Sequence, residues 1–194
     1  MDLLAILNML QFFLLLMTIP YLITLLLLFF NAVFAVTMVY FLFWTVFLSH
    51  WKGAPFVPSN KQKIETMLEL ARIMPEDVVY DLGSGDGVLL FGAAKKGAHT
   101  VGVEINPFLV AYSRFLVWKK GLNAQVIIKK EDFRKTNLGN ASVVFLYLWP
   151  ATNVLLKEKL LAELPKGARI VSNSFPIAGL TPSAEKNNVF LYRV

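Results

Sequence analysis

The N-terminal segment is the feature that most constrains what this chain can fold into. Residues 1–51 contain one formally charged side chain, Asp2, whereas all nineteen Lys and Arg residues lie at position 52 or later. A membrane-spanning helix needs about 20 mainly apolar residues, so the segment is long enough for two. The sequence therefore predicts a transmembrane helical segment over residues 1–51, as two helices at 3–30 and 32–50 with Asn31 in the turn between them.

The residues that flank this segment indicate what it is and how it is oriented. A secretory signal peptide has a basic start and a short apolar core, and neither is present. A kink at Pro20, or one span followed by an interfacial helix, is an alternative arrangement. Basic residues follow the segment from Lys52 onward and none precede it, so the positive-inside bias predicts membrane localisation with the C-terminal domain on the cytoplasmic side.

The remaining residues are enough for one compact domain of about 140 residues, predicted at 61–194 after a proline-containing linker at 52–60. The sequence has no cysteine and only two histidines. This composition excludes disulfides and thiol catalysis, and it removes the usual structural zinc sites. The sequence therefore predicts no metal site.

Strand and helix signals alternate through this domain. Apolar, β-branched runs at 78–82, 100–104, 124–129, 141–148 and 168–175 predict strands, and segments of helical spacing separate them. Asn106 and Pro107 are typical of a helix start. Ser59 and Gln62 fit a capping box before an earlier helix. This alternation predicts an α/β fold with a doubly wound, mostly parallel sheet, in which a last strand at 188–194 pairs antiparallel to strand five.

A glycine-rich loop, "DLGSGDG", follows the first predicted strand. Ligands of doubly wound sheets bind at the carboxyl ends of the strands, and Gly83, Ser84 and Gly85 lie there. Glycines let a ligand approach the backbone, although a glycine turn can also simply join a strand to a helix. The neighbouring carboxylates of Asp81 and Asp86 would repel a pyrophosphate and favour a ligand with a positive centre.

Two further strand ends carry acids. Glu104 ends the second strand, where a carboxylate can bind the hydroxyls of a ribose, and Asn106 follows it. Asp132 and Phe133 follow the third strand, where a carboxylate can accept from an adenine amino group and a ring can cover the base. Each acid alone is also compatible with an ordinary surface carboxylate. Together, in this order, they predict a site for S-adenosyl-L-methionine.

The stretch "YDLGSGDG" resembles motif I of the class I S-adenosylmethionine-dependent methyltransferases. The longer stretches "PFVPSNKQ", "AAKKGAHTVGVEINPFLVAYSRF" and "FPIAGLTP" resemble the membrane-anchored lysine methyltransferases of the ATP synthase c-subunit and the adenine nucleotide translocase. The resemblance covers residues 55–194. It implies a Rossmann-like methyltransferase sheet and S-adenosylmethionine as the cofactor. It also implies that residues 56–59 close over that cofactor, although a linker that ends in a helix cap explains them equally well. The cofactor residues it implies are Asp81, Gly83, Gly85, Glu104 and Asp132.

The chain departs from those relatives in two ways. It has no arginine-rich transit peptide at its start. Its C-terminal region is short, so the sequence predicts one strand fewer than is usual for the superfamily.

The acceptor side is less well marked. The stretch "LYLWPATN" after the fourth strand lacks the acid or Asn followed by Pro-Pro and an aromatic that methyltransferases of amide and base nitrogens carry. Tyr147 and Trp149 are candidate acceptor-pocket residues, since a lysine side chain can lie along aromatic rings, although core packing also explains them. The sequence indicates no general base.

These features and the resemblance predict a membrane-anchored, S-adenosylmethionine-dependent protein-lysine N-methyltransferase. Its expected partners are a membrane-embedded protein substrate and the lipid bilayer, with no nucleic acid. Three alternatives remain open: a lipid or quinone-type small-molecule methyltransferase, an RNA methyltransferase, and a non-enzymatic membrane protein that retains the fold.

Overall fold

The computed structural model describes residues 2–52 and 60–194, with side chains described for 2–4, 6–43 and 60–194. The chain divides into two compact units, Met1–Phe47 and Leu48–Val194. Most of the predicted linker, and the whole segment 56–59 that was predicted to close over the cofactor, lie outside the described residues.

Helix α1, Leu3–Lys52, accounts for the first unit and continues past its boundary at Phe47; it is a single helix with Pro20 inside it. The structure differs here from the predicted pair of helices, because the chain does not turn at Asn31. The Asn31 amide donates a hydrogen bond to the Leu27 carbonyl at 2.8 Å, so the side chain is satisfied within the helix instead of breaking it.

The stretch Ile6–Phe43 of α1 is apolar and long enough to cross a membrane. Its most apolar 18 residues have a mean hydropathy of 2.5, and none of them is buried. At 1.5 Å per residue its 38 residues extend about 57 Å, roughly twice the hydrocarbon core of a bilayer. An exposed apolar surface of this extent is typical of a membrane-contacting helix.

The second unit contains a seven-stranded sheet of order β3-β2-β1-β4-β5-β7-β6. Strands β1 to β5 are parallel, and β7 pairs antiparallel to β5. The predicted fold class and the antiparallel last strand are confirmed. The elements of this unit are α2 Lys61–Ala71, β1 Val78–Leu82, α3 Val88–Ala94, β2 His99–Glu104, α4 Pro107–Lys119, β3 Val126–Lys130, β4 Val143–Leu146, α5 Pro150–Glu163, β5 Arg169–Asn173, β6 Ala184–Lys186 and β7 Val189–Arg193.

Two details differ from the sequence predictions. Among the described residues the sheet has seven strands, one more than the six that the sequence predicted, so the expected missing strand was wrong. The additional strand β6 pairs antiparallel to β7, and its three residues without an apolar run gave no signal for it. Asn187 and Asn188 join these strands with φ angles of 52° and 58°, as a tight hairpin turn requires. Helix α2 begins at Lys61 with Asn60 as its cap, whose side chain accepts from the Lys63 N–H at 2.8 Å, whereas the sequence predicted Ser59, which lies outside the described residues.

Helices cover both faces of the sheet. Helix α5 packs Leu156 and Leu160 against one face, in a cluster that includes Tyr80 and Leu146. Helices α2, α3 and α4 cover the other face, in two further clusters. The core therefore lies on both sides of β1 and β4, and the carboxyl ends of the strands form one edge of the domain.

A buried ion pair fixes the opposite edge. The Arg169 guanidinium, which is 7% exposed, pairs with Asp77 and donates to the carbonyl of Ala71 at 2.6 Å and of Arg72 at 2.8 Å. Asp77 also accepts from the Ser142 hydroxyl at 2.7 Å. This network ties the end of α2 to β1 and β5, away from the ligand edge, so we assign it to stability.

Candidate cofactor and acceptor site

The glycine turn after β1 lies where the strand order reverses. Strand β1 has β2 on one side and β4 on the other, which makes this point the topological switch of the sheet. Gly83, Gly85 and Gly87 have φ angles of 85°, 55° and 79°, in the left-handed region that favours glycine. The N–H groups of Gly83 and Ser84 both donate to the Val103 carbonyl, at 2.8 and 3.1 Å, so the turn is anchored to β2.

Glu104 connects the turn to the next strand end. Its Oε2 accepts from the Gly85 N–H at 3.0 Å and its Oε1 accepts from the Asn106 N–H at 2.7 Å. The side chain is 8% exposed. A carboxylate has about four lone-pair positions, so Glu104 can hold both backbone groups and still accept hydrogen bonds from two hydroxyls.

Asp81 lies on β1 beside this carboxylate and is also buried. Burial, followed by the charges of Glu104 and Asp86, raises the pKa of Asp81 from 3.8 to about 7. A ligand with a positive centre would favour the ionised form and lower that pKa again. The three acids together therefore fit a cationic ligand better than a phosphate.

Ser84 adds an unpaired polar atom to the turn. Its Oγ is buried and has no hydrogen-bond partner among the residues that the structure describes. Gly102 on β2 leaves room for it, because a Cβ there would lie 2.7 Å from Ser84 Oγ and 2.5 Å from Leu90 Cδ1. The sequence analysis assigned no role to Gly102. A glycine inside a β-branched strand could have indicated the close approach of another group.

The third strand end carries Asp132 and Phe133. The Asp132 carboxylate is bound by its neighbour Arg134, whose backbone N–H, Nε and Nη2 donate at 3.0, 2.9 and 2.6 Å. These contacts lower the pKa of Asp132, so the side chain is a carboxylate at neutral pH. Phe133 is 7% exposed and belongs to the hydrophobic cluster on the α5 side of the sheet. The adenine contacts of both residues stay predictions.

Asn106 and Pro107 start helix α4 as predicted. The Asn106 side chain accepts from the Phe108 N–H at 2.9 Å, and Pro107 occupies the first turn. The Asn106 N–H donates to Glu104, so this cap also positions the carboxylate.

The segment after β4 lies against the glycine turn. Leu148 is buried, and a Cβ placed on Gly83 would lie 3.3 Å from Leu148 Cδ2. Strand β4 ends at Leu146, two residues earlier than predicted, so strand alternation does not set the directions of Tyr147 and Trp149. Tyr147 is half-buried, and Trp149 is 52% exposed just before α5.

Trp149 stacks on a ring that sequence reasoning did not single out. The centroids of Trp149 and Phe175 are 5.8 Å apart, with an angle of 26° between the planes. The Phe175 carbonyl accepts from the Ser172 hydroxyl at 2.6 Å and the Asn153 amide at 3.3 Å. Ser174, which lies between the end of β5 and Phe175, has a φ of 64°, and this turns the chain sharply after the strand. The sequence feature that could have pointed to Phe175 is the polar stretch "SNS" directly before it, at the end of the fifth strand.

No group of three or more His, Asp or Glu side chains within the described ranges is arranged to hold a metal ion. The polar groups of the site are backbone amides, carboxylates and hydroxyls, a donor and acceptor set that suits an organic ligand.

The chain is similar to known methyltransferases. The family model described as the ANTKMT methyltransferase domain matches residues 81–184. A protein-lysine N-methyltransferase of Saccharolobus islandicus is 36% identical over 137 residues, which are 70% of this chain and 85% of that protein. The adenine nucleotide translocase lysine N-methyltransferase of Mus musculus is 39% identical over 131 residues, which are 67% of this chain and 57% of that protein, so this chain spans little more than half of its length.

A solved structure is also similar. The crystal structure described as an RNA methyltransferase from Salinibacter ruber, in complex with S-adenosyl-L-homocysteine, is 36% identical. The match has a TM-score of 0.67 and covers 71% of this chain and 92% of that one. The predicted class I methyltransferase fold is thereby confirmed.

Proposed function

This chain belongs to the family of the ANTKMT methyltransferase domain, and from that premise we propose that it is a membrane-anchored protein-lysine N-methyltransferase that acts on a membrane protein. Its cofactor is S-adenosyl-L-methionine. The observation that carries the proposal is the proximity of Leu148 to Gly83 in the glycine turn, since Leu148 directly precedes Trp149 of the aromatic pair Trp149–Phe175.

The chain's own residues fit this cofactor. When bound, S-adenosylmethionine supplies a methyl group on a positively charged sulfur. Ionised Asp81 would balance positive charge on the ligand, and Glu104 would accept from the ribose hydroxyls while it holds Gly85. Ser84 offers its unpaired hydroxyl. Glu104 is held by two backbone N–H groups before the ligand arrives, which reduces the entropy cost of binding.

The acceptor amine would reach the site along the aromatic pair. The lysine ammonium must first give up one proton, and transfer into a desolvated pocket lowers its pKa. In-line attack by the neutral amine then forms the nitrogen–methyl bond as the methyl–sulfur bond breaks, which leaves S-adenosylhomocysteine and a methylated lysine that carries the positive charge. Residues 133–157 contain no Asp or Glu, so this segment supplies no carboxylate as a base. We propose that the proton leaves to water.

The apolar helix supports a membrane substrate. Enzyme and substrate that share one bilayer meet at a raised effective concentration. The mouse relative is named for a translocase, which agrees with a membrane-embedded acceptor. The basic residues after α1 favour the cytoplasmic side for the methyltransferase domain.

RNA methylation is a second candidate, because the Salinibacter ruber structure is described as an RNA methyltransferase and the match covers 92% of it. The two candidates share the cofactor site and differ in the acceptor. The lysine enzyme is favoured by the names of the curated relatives and by the apolar N-terminal helix.

The test uses the full-length chain in native membranes with S-adenosylmethionine radiolabelled on its methyl group. Protein, lipid and RNA fractions are separated and counted. We expect label in a discrete membrane-protein band, lost in Asp81→Ala and kept in Glu158→Ala, an exposed acid on α5 outside the site. Label in the lipid or RNA fraction instead would contradict the proposed acceptor and leave the cofactor assignment intact.

A further inference from the structure

Helix α4 exposes aromatic side chains along one side. Tyr112, Phe115 and Trp118 are 52%, 51% and 67% exposed, and we call these three residues the aromatic face of α4. They follow one another at intervals of three, so they are neighbours on the helix surface. The rings of Phe115 and Trp118 are 5.9 Å apart. Val110 and Val117 on the other side of the helix are buried in the core. Adjacent exposed aromatic rings of this size are typical of an interaction surface.

The charged residues of α4 and of the segment that follows it are all basic. Residues 105–130 contain five basic side chains and no acid. Lys120 Nζ lies 5.5 Å from the centroid of the Phe91 ring, which brings the C-terminal ends of α3 and α4 together. The exposed basic residues at these two helix ends are Lys95, Lys96, Lys119 and Lys120. The aromatic face of α4 is therefore bordered by a cationic cluster that complements an anionic partner.

We propose that the aromatic face of α4 lies on the surface of a bilayer that contains anionic lipid. This inference rests on the membrane anchoring proposed above and goes beyond it, because it assigns a second membrane contact to the methyltransferase domain itself. Trp and Tyr side chains favour the headgroup region, and lysines near an anionic surface are attracted to it. A helix with an apolar side and a cationic border lies in the plane of that surface.

Single-stranded RNA also binds aromatic and basic side chains, but it does so in a groove that follows the strand. The aromatic face of α4 is the outer, convex side of one helix, which fits a flat surface better. Asn106, which caps the start of α4, donates its N–H to Glu104 of the proposed cofactor site. Contact along α4 would therefore hold the cofactor site close to the headgroups, where an integral protein presents its lysines.

The test exploits the lack of native cysteine in the full-length chain. Ala111 is exposed and lies four and seven positions before Phe115 and Trp118, so Ala111→Cys adds a labelling site beside the rings without removing one. Ala162→Cys is the matched control, because Ala162 is exposed on α5, across the sheet. Each variant receives one fluorophore and is reconstituted into phosphatidylcholine vesicles with or without phosphatidylglycerol and with a quencher on the lipid headgroups.

We expect several-fold stronger quenching at position 111 than at 162 in the phosphatidylglycerol vesicles. The difference should shrink in neutral vesicles and in Lys119→Glu/Lys120→Glu. Equal quenching at both positions would overturn the inference. The inference would also be overturned if an RNA oligonucleotide changed the fluorescence of the label at position 111 and vesicles did not. Flotation of the same samples separates the two proposals: a chain that does not float contradicts anchoring, whereas one that floats with equal quenching contradicts only the contact by α4.

Discussion

Glu104 holds the glycine turn through a single carboxylate: its Oε2 accepts from the Gly85 N–H at 3.0 Å while its Oε1 accepts from the Asn106 N–H at 2.7 Å. The residue that is predicted to bind the ribose thus also sets the shape of the turn beside it. Cofactor affinity should therefore depend on Glu104 in two ways, through its own contact and through the backbone it positions.

Glu104→Gln should weaken S-adenosylmethionine binding by roughly 10- to 100-fold. Glutamine keeps one carbonyl oxygen, so it cannot accept from both backbone N–H groups and from both ribose hydroxyls, and each lost acceptor costs about 1–3 kcal/mol. Isothermal titration calorimetry of the full-length chain in detergent measures the affinity. Glu158→Gln, an exposed acid on α5, serves as the control and should bind normally. Unchanged binding in Glu104→Gln would remove Glu104 from the site.

Cofactor affinity should rise with pH around neutrality. Burial, with the charges of Glu104 and Asp86, raises the pKa of Asp81 to about 7, and a cationic ligand binds the ionised form. Titrations at pH 6 and pH 8 should therefore show tighter binding at pH 8. Asp81→Asn should bind more weakly at pH 8 and should lose this part of the pH dependence. A variant with the same pH profile as the parent chain would show that Asp81 does not control it.

Stability should change in the opposite direction. The folded chain binds a proton at Asp81 more tightly than the unfolded chain does, since the pKa rises from 3.8 to about 7 on folding. Its contribution to the free energy of unfolding is thus complete below about pH 4 and is lost as the pH rises through about 7, by up to about 4 kcal/mol. Ligand-free Asp81→Asn should be more stable than the parent chain at pH 8, measured by thermal unfolding in detergent, and equal stability would contradict the prediction.

Loss of the aromatic pair should affect the acceptor and not the cofactor. Phe175→Ala removes the ring that stacks on Trp149, and we expect a KM for the protein substrate about 10-fold higher with unchanged S-adenosylmethionine affinity. Leu155→Ala, an exposed apolar residue on α5, is the control for loss of surface area. If Phe175→Ala weakened S-adenosylmethionine binding as much as it raised the KM for the protein substrate, the pair would support the fold of the site instead of binding the acceptor.

Removal of the buried cation should destabilise the domain without a specific effect on catalysis. Arg169→Met leaves Asp77 buried without its ionic partner and removes donors to Ala71 and Arg72, which costs about 3–5 kcal/mol. Thermal unfolding of the full-length chain measures the loss. Lys186→Met breaks the exposed pair with Glu69 and should cost less than about 1 kcal/mol. Equal losses in the two variants would contradict a stabilising role for the buried network.

The sequence predicted a mostly parallel, doubly wound sheet because its strands are short, buried and rich in β-branched residues and alternate with helical segments. It also predicted the three acidic strand ends, since parallel strands bring their carboxyl ends to one edge. It missed β6, whose three residues are mostly exposed and whose pairing depends on β7. It also predicted a break at Asn31, where the side chain instead bonds to the preceding turn of α1.

The acceptor side was harder to predict because its contacts are distant in sequence. Trp149 and Phe175 meet only after β5 pairs with β4, and a positive φ at Ser174 brings the second ring into place. The room that Gly102 leaves for the Ser84 hydroxyl likewise depends on the pairing of β1 with β2. Periodicity along the chain carries no information about such contacts.

The most direct test of the central claim is the chemical identity of the methylated residue. Membrane proteins labelled by the full-length chain are hydrolysed to amino acids, and the radioactive species is identified by chromatography and mass spectrometry. We predict that the label is in methylated lysine and that it is absent with Asp81→Ala. Label in another amino acid, or none in protein while S-adenosylmethionine still binds, would contradict a protein-lysine methyltransferase.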